Sequence, residues 1–164
     1  MQTTINVGVV GYRGSGKTTL CYKLVGIDPP RQPNGTTSLD YLACTWDGHC
    51  NVLAWDFAPG VSPDTQAHLD DMDCVVLCCD GRNNRSAVHA LQFLRTCKPP
   101  VVVALTRMTP LAWCVPLFFA DIGQSAYSAP VLPCYHSADA LISYLHHRFA
   151  SKRNVLVSSS IVEL

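Results

Sequence analysis

Short runs of apolar, largely β-branched residues alternate along the chain with segments whose apolar positions recur at helical spacing, and this alternation predicts an α/β fold. The run 5–10 predicts a first buried strand, followed by a glycine-rich turn and a helix over 17–25. Pro29, Pro30 and Pro33 supply a stop for that helix, because proline lacks the N–H that a continuing helix needs. Runs 39–46 and 51–55 flank Asp47-Gly48, a dipeptide suited to a tight turn, and predict an antiparallel hairpin. Runs 74–79, 101–105 and 131–134 predict three further buried strands joined by crossover helices, and 86–96 and 138–149 have helical spacing. The order implies a mostly parallel central sheet with one antiparallel edge strand and helices on both faces. Residues 1–150 would form the domain, with 151–164 an extra strand, from 155–157 and 161–164, or a tail.

A chain of 164 residues, 48% of them apolar, can bury one core, and its size argues for a single domain. Twelve basic residues balance twelve acidic ones, so neither a nucleic-acid groove nor general attraction to anionic membranes is expected, and any phosphate binding must be local. The nine cysteines are odd in number, follow no signal-like segment and include no C-x-x-C pair. They read as reduced, buried thiols of a cytoplasmic or nuclear protein rather than as a disulfide framework or a zinc site. No apolar stretch reaches the ~20 residues that a membrane span needs. Gln2 is not glycine and no cysteine lies beyond Cys134, so no direct lipid anchor is expected.

The sharpest chemical signal is Gly11-Tyr12-Arg13-Gly14-Ser15-Gly16-Lys17-Thr18, which fits G-x-x-x-x-G-K-[ST] and lies between a predicted strand and a predicted helix. Glycines let the backbone curl so that successive N–H groups point inward, and the helix start adds its dipole to the anion site. Arg13, Gly14, Ser15, Gly16, Lys17, Thr18 and Thr19 are the candidate phosphate-binding residues. Lys17 would reach the β and γ phosphates, and the Thr18 hydroxyl would coordinate a magnesium ion bridging them.

With this loop in this position the sequence resembles the Ras-like small GTPases, over nearly the whole chain in element order and spacing. The resemblance implies a P-loop G domain that binds Mg2+ and GTP or GDP and acts as a switch or adaptor on protein partners through 31–46 and 57–73. Thr36 or Thr37, with Thr37 preferred, would close over magnesium and the γ phosphate and join Lys17 as a catalytic candidate. Asp56 matches the aspartate of D-x-x-G and would hold magnesium together with Thr18. In Asp56-Phe57-Ala58-Pro59-Gly60 the glycine position is Pro59, which has no N–H, so Gly60 is the candidate γ-phosphate contact. Val61 stands where a water-orienting glutamine usually follows, the nearest being Gln66, and Arg13 would obstruct an arginine supplied by an activating protein. Weak or slow hydrolysis is therefore implied. Thr106-Arg107-Met108-Thr109 stands in the place of T-K-x-D, which makes Thr106, Arg107 and Thr109 the base-binding candidates, although Thr109 lacks the carboxylate that accepts from guanine. Ser137 either backs the base or caps the last helix. Two other classes stay open: a pseudo-GTPase scaffold that does not cycle nucleotide, and a P-loop phosphotransferase. Trp46 is expected either in the core or exposed as a partner anchor, and Asp70, Asp71 and Asp73 as a solvated helix end.

Overall fold

A computed structural model describes residues 3–31, 39–46, 48, 50–59, 63–107 and 129–159. Along the chain these form β1 (Thr3–Gly11), α1 (Lys17–Leu24), β2 (Asp40–Trp46), β3 (Cys50–Asp56), α2 (Pro63–Asp70), β4 (Cys74–Asp80), α3 (Asn84–Leu94), β5 (Val101–Arg107), β6 (Val131–Pro133) and α4 (Asp139–Ser159). The six strands make one sheet in the order β2-β3-β1-β4-β5-β6, with β2 antiparallel to β3 and every other pair parallel. The fold is thus α/β with a mixed, mostly parallel sheet, as the alternation of runs predicts.

All seven residues of β4 are buried, and its alternating side chains serve two cores. Cys74, Val76 and Cys78 join Ile5, Val7 and Val9 of β1 against Leu20 and Leu24 of α1 and Leu141 and Leu145 of α4. Val75, Leu77 and Cys79 face the other way, toward Leu69 of α2 and Phe93 and Leu94 of α3. Burial on both faces is why the run 74–79 is continuously apolar rather than alternating. Each such Val or Leu contributes about 1.5–3 kcal/mol when fully buried. At the sheet edge β2 is mostly exposed, while β3 buries every second residue.

One element end falls within a residue of expectation, closed by a glycine ahead of the prolines, and another differs. Helix α1 stops at Leu24, before any proline: the Gly26 N–H bonds the Lys23 carbonyl at 3.2 Å, and the Ile27 N–H bonds the Tyr22 carbonyl at 3.0 Å. Gly26, at φ 73, takes the left-handed conformation that this closing pattern requires. At the other end α4 continues to Ser159, so Val155, Leu156 and Val157 are helical rather than strand or tail. Backbone hydrogen bonds propagate an already nucleated helix through a locally β-branched stretch, because propagation is much easier than nucleation. Residues 161–164 lie outside the described residues, as do Asp47 of the hairpin turn and any crossover helix in 108–128.

Trp46 is a core residue. It is buried, its indole N–H points to the Leu24 carbonyl at 3.4 Å, and its ring stacks on His146 at 4.4 Å between centroids. The acidic cluster is only partly a solvated helix end, because Asp73 accepts from the Asn6 N–H at 2.9 Å and Asp70 pairs with Lys98 and with Gln66. Among the described residues no helix is long and apolar enough to cross a membrane.

Candidate functional site

In open sheets of this kind, ligands bind outside the carboxyl ends of the parallel strands. Here the ends of β1, β3, β4 and β5 bring Gly11, Asp56, Asp80, Thr106 and Arg107 to one edge. The loop from β1 to α1 is the centre of that edge. Gly11 pairs with Cys78 of β4, and a Cβ at Gly11 would lie 2.5 Å from the Cys78 carbonyl oxygen and 2.7 Å from the Ser15 hydroxyl. The loop passes so close to β4 that only glycine fits. The Ser15 N–H then closes a turn onto the Tyr12 carbonyl at 3.1 Å, and Gly16, at φ 90, is the N-cap of α1. Since Gly16 contributes no side-chain cap, the first N–H groups of α1 are served by no capping side chain of its own, the condition under which a helix start attracts an anion.

Lys17 is the buried cation of this loop, at 5% exposure, and its Nζ donates to the Tyr12 carbonyl at 3.1 Å across the turn. Burial pulls its pKa below the ordinary lysine value, against the opposing influence of Cys78, Asp56 and Cys21. An incoming anion would relieve that cost.

Thr18, in the first turn of α1, donates its hydroxyl to the Asp56 carboxylate at the end of β3 over 2.6 Å. Asp56 is itself buried. A hydroxyl and a carboxylate are hard oxygen donors, and two of them on one side suit a cation that keeps several waters and takes its remaining ligands from bound phosphates, as Mg2+ does. No cluster of three His, Cys, Asp or Glu able to hold a metal occurs among the described residues.

On the far side of the loop Thr106 shares its hydroxyl between the carbonyls of Ser15 and Cys79, tying β5 to the loop and to β4. Arg107 follows it, with Nη1 donating to the Gly14 carbonyl at 3.3 Å and to Asp80 at 3.4 Å. Gly16, Thr19, Lys23, Thr106, Arg107 and Tyr135 border a cavity of about 180 Å³. Thr19 and Lys23 lie one turn apart on α1, and Lys23 Nζ also reaches the His136 carbonyl at 3.4 Å. Ser137 is exposed, and its hydroxyl accepts from the Asp139 N–H at 3.4 Å, the capping role at the start of α4.

The structure therefore brings together Gly14, Ser15, Gly16, Lys17, Thr18, Thr19, Asp56, Thr106 and Arg107, with Arg13 exposed on the loop. Thr36, Thr37, Gly60, Val61 and Thr109 lie outside the described residues. Sequence reading missed Asp80. Its carboxylate accepts from Arg82 Nε and Nη2, each at 3.1 Å, from the Arg82 N–H at 3.0 Å, and from Arg107. Burial opposes its charge, but the Arg82 hydrogen bonds and the two guanidinium charges outweigh this and hold its pKa below the ordinary aspartate value. An aspartate at the carboxyl end of a fully apolar run, followed directly by glycine, was the available signal; Asp56, which Phe57 follows, was marked instead by its match to D-x-x-G.

Compared with known proteins, the chain matches no family model and no curated protein.

Proposed function

We propose that this chain is a Ras-like guanine-nucleotide-binding protein that holds GTP or GDP with Mg2+, hydrolyses GTP slowly, and acts as a switch or adaptor for protein partners. The observation that carries the proposal is the Thr18–Asp56 contact of 2.6 Å beneath a G-x-x-x-x-G-K-T loop, because it joins the start of α1 to the end of β3 at the point where a triphosphate-bound magnesium would sit. An antiparallel β2 at the edge of an otherwise parallel sheet agrees with the resemblance. In this reading Gly14, Ser15, Gly16, Lys17, Thr18 and Thr19 bind phosphates, Thr18 and Asp56 hold the metal, and Thr106 and Arg107 border the base. Lys17 neutralises charge that develops between the β and γ phosphates.

Slow turnover follows from Val61 and Pro59, which supply neither a water-orienting amide nor a backbone donor. The partner surface is the stretch 31–46 with 57–73. In it Tyr41 is half exposed on the edge strand and packs at 4.9 Å against Trp55. Pro59, exposed at a bend, favours a second reading, a scaffold that retains nucleotide without cycling.

The test is the nucleotide content and affinity of the purified protein for GTP, GDP and ATP, with and without Mg2+, beside Lys17→Ala. Guanine-selective, magnesium-dependent binding that Lys17→Ala abolishes is expected. Binding to none of the three would overturn the proposal.

A further inference from the structure

We infer that Asp80 is a positioning residue: its carboxylate fixes the Arg107 guanidinium as a wall of the cavity beside Thr106, and so strengthens the hold on a nucleotide's base rather than on its phosphates. The inference rests on taking that cavity as the base pocket of the proposed nucleotide site.

Three observations place Asp80 in this role. The first is a β-bulge. Cys79 of β4 stands opposite Leu105 of β5, but Asp80 stands opposite Arg107, so the pairing skips Thr106 and brings the arginine level with the carboxylate. Bulges re-aim side chains in this way at the rims of sites. Without the extra residue, Thr106 would face Asp80 and Arg107 would lie one position farther along.

The second is the rigidity of Asp80 itself. It is 6% exposed, and its backbone N–H donates to the hydroxyl of Ser86, a fully buried residue of α3, at 3.0 Å. The adjoining Gly81 N–H bonds the Arg107 carbonyl at 2.9 Å, so the backbones of the two partners are tied as well as their side chains. Arg82 engages both carboxylate oxygens and keeps the group charged and oriented toward β5.

The third is the state of Arg107. Its side chain is about half exposed, and one nitrogen, Nη1, meets both Asp80 at 3.4 Å and the Gly14 carbonyl at 3.3 Å. Each bond is long, and neither alone would restrain a flexible, half-solvated side chain against its rotamer entropy. Together they lay the guanidinium along the loop, where its planar face can pack on a base.

The experiment measures the affinity of the full chain, with Mg2+, for GTP and for inorganic tripolyphosphate, which has phosphates but no base. Taking the ratio of the two removes any general effect of charge on phosphate binding. Asp80→Asn is expected to lower the ratio about fivefold, the upper range for a partly exposed ion pair. In an Arg107→Ala background the same substitution is expected to lower it no further, because Asp80 acts through Arg107. Asp80→Ser replaces Asp80→Asn if the latter does not fold by circular dichroism. An unchanged ratio, equal losses for both ligands, or a further fall in the Arg107→Ala background would overturn the role of Asp80 alone. A wild-type protein that binds neither ligand would overturn the nucleotide proposal and this role with it.

Discussion

The hydroxyl of Ser15 is the clearest single-residue cost in the site. Ser15 is 1% exposed, and its Oγ has no hydrogen-bond partner among the described residues. The residue's other polar groups are in use, its N–H on Tyr12 and its carbonyl on Thr106. A buried hydroxyl without a partner costs roughly 1–3 kcal/mol, and replacing it by hydrogen leaves only a small void. Ser15→Ala is therefore expected to stabilise the ligand-free protein by about 1 kcal/mol, read from the urea midpoint at unchanged slope. A loss of that size would show that the hydroxyl is satisfied. Lys17 presents the same tension with charge: its buried ammonium rests on the Tyr12 carbonyl, and burial disfavours its charged form.

The strand–loop–helix unit from β1 to α1 and its closing turn hold two glycines whose replacement carries costs of different size. Gly26 has open space around the position of a Cβ, so Gly26→Ala meets only the left-handed backbone penalty of about 1 kcal/mol. At Gly11 an added Cβ must push the loop off β4, and Gly11→Ala is expected to cost about 2 kcal/mol or more, since close-packed backbone yields poorly. Thermal melts of the two variants, side by side, check the ranking; equal losses would mean that the loop can shift away from Cys78. Both glycines are plain in the sequence, but only Gly11 belongs to a legible motif. The closing pattern at Gly26 was hidden behind the more conspicuous prolines, which lie several residues too late to end α1.

At the scale of the molecule, the described cysteines are free, and Cys21, Cys50, Cys74, Cys78 and Cys134 are buried in the core on one face of the sheet and Cys79 in the core on the other. Burial raises the thiols of Cys74 and Cys134 to about 11, and that of Cys78 higher still. A thiolate is the reactive form, so these groups are protected twice, by access and by protonation. Their labelling by a soluble disulfide reagent at pH 8 is expected to occur only through global opening, with the same denaturant midpoint as the loss of helical circular dichroism. Labelling that runs ahead of that transition would show the two faces of the sheet to open separately.

The features that the chain determines by itself are local ones. Apolar runs of strand length, a glycine-rich turn before a lysine and a threonine, and an aspartate closing the third strand depend on neighbouring residues, and each was legible along with the antiparallel hairpin and the order of the elements. Tertiary structure decided what depends on partners distant in sequence. Trp46 became a core residue because α4 returns to cover it. Ser137 was given to a helix start. The link from Asp80 to Arg107 exists because a bulge shifts two strands by one residue, and no periodicity in either strand announces a bulge. Pairing of this kind is set by which side chains the opposing sheet face and the covering helices can accommodate, and that information is spread over the whole chain.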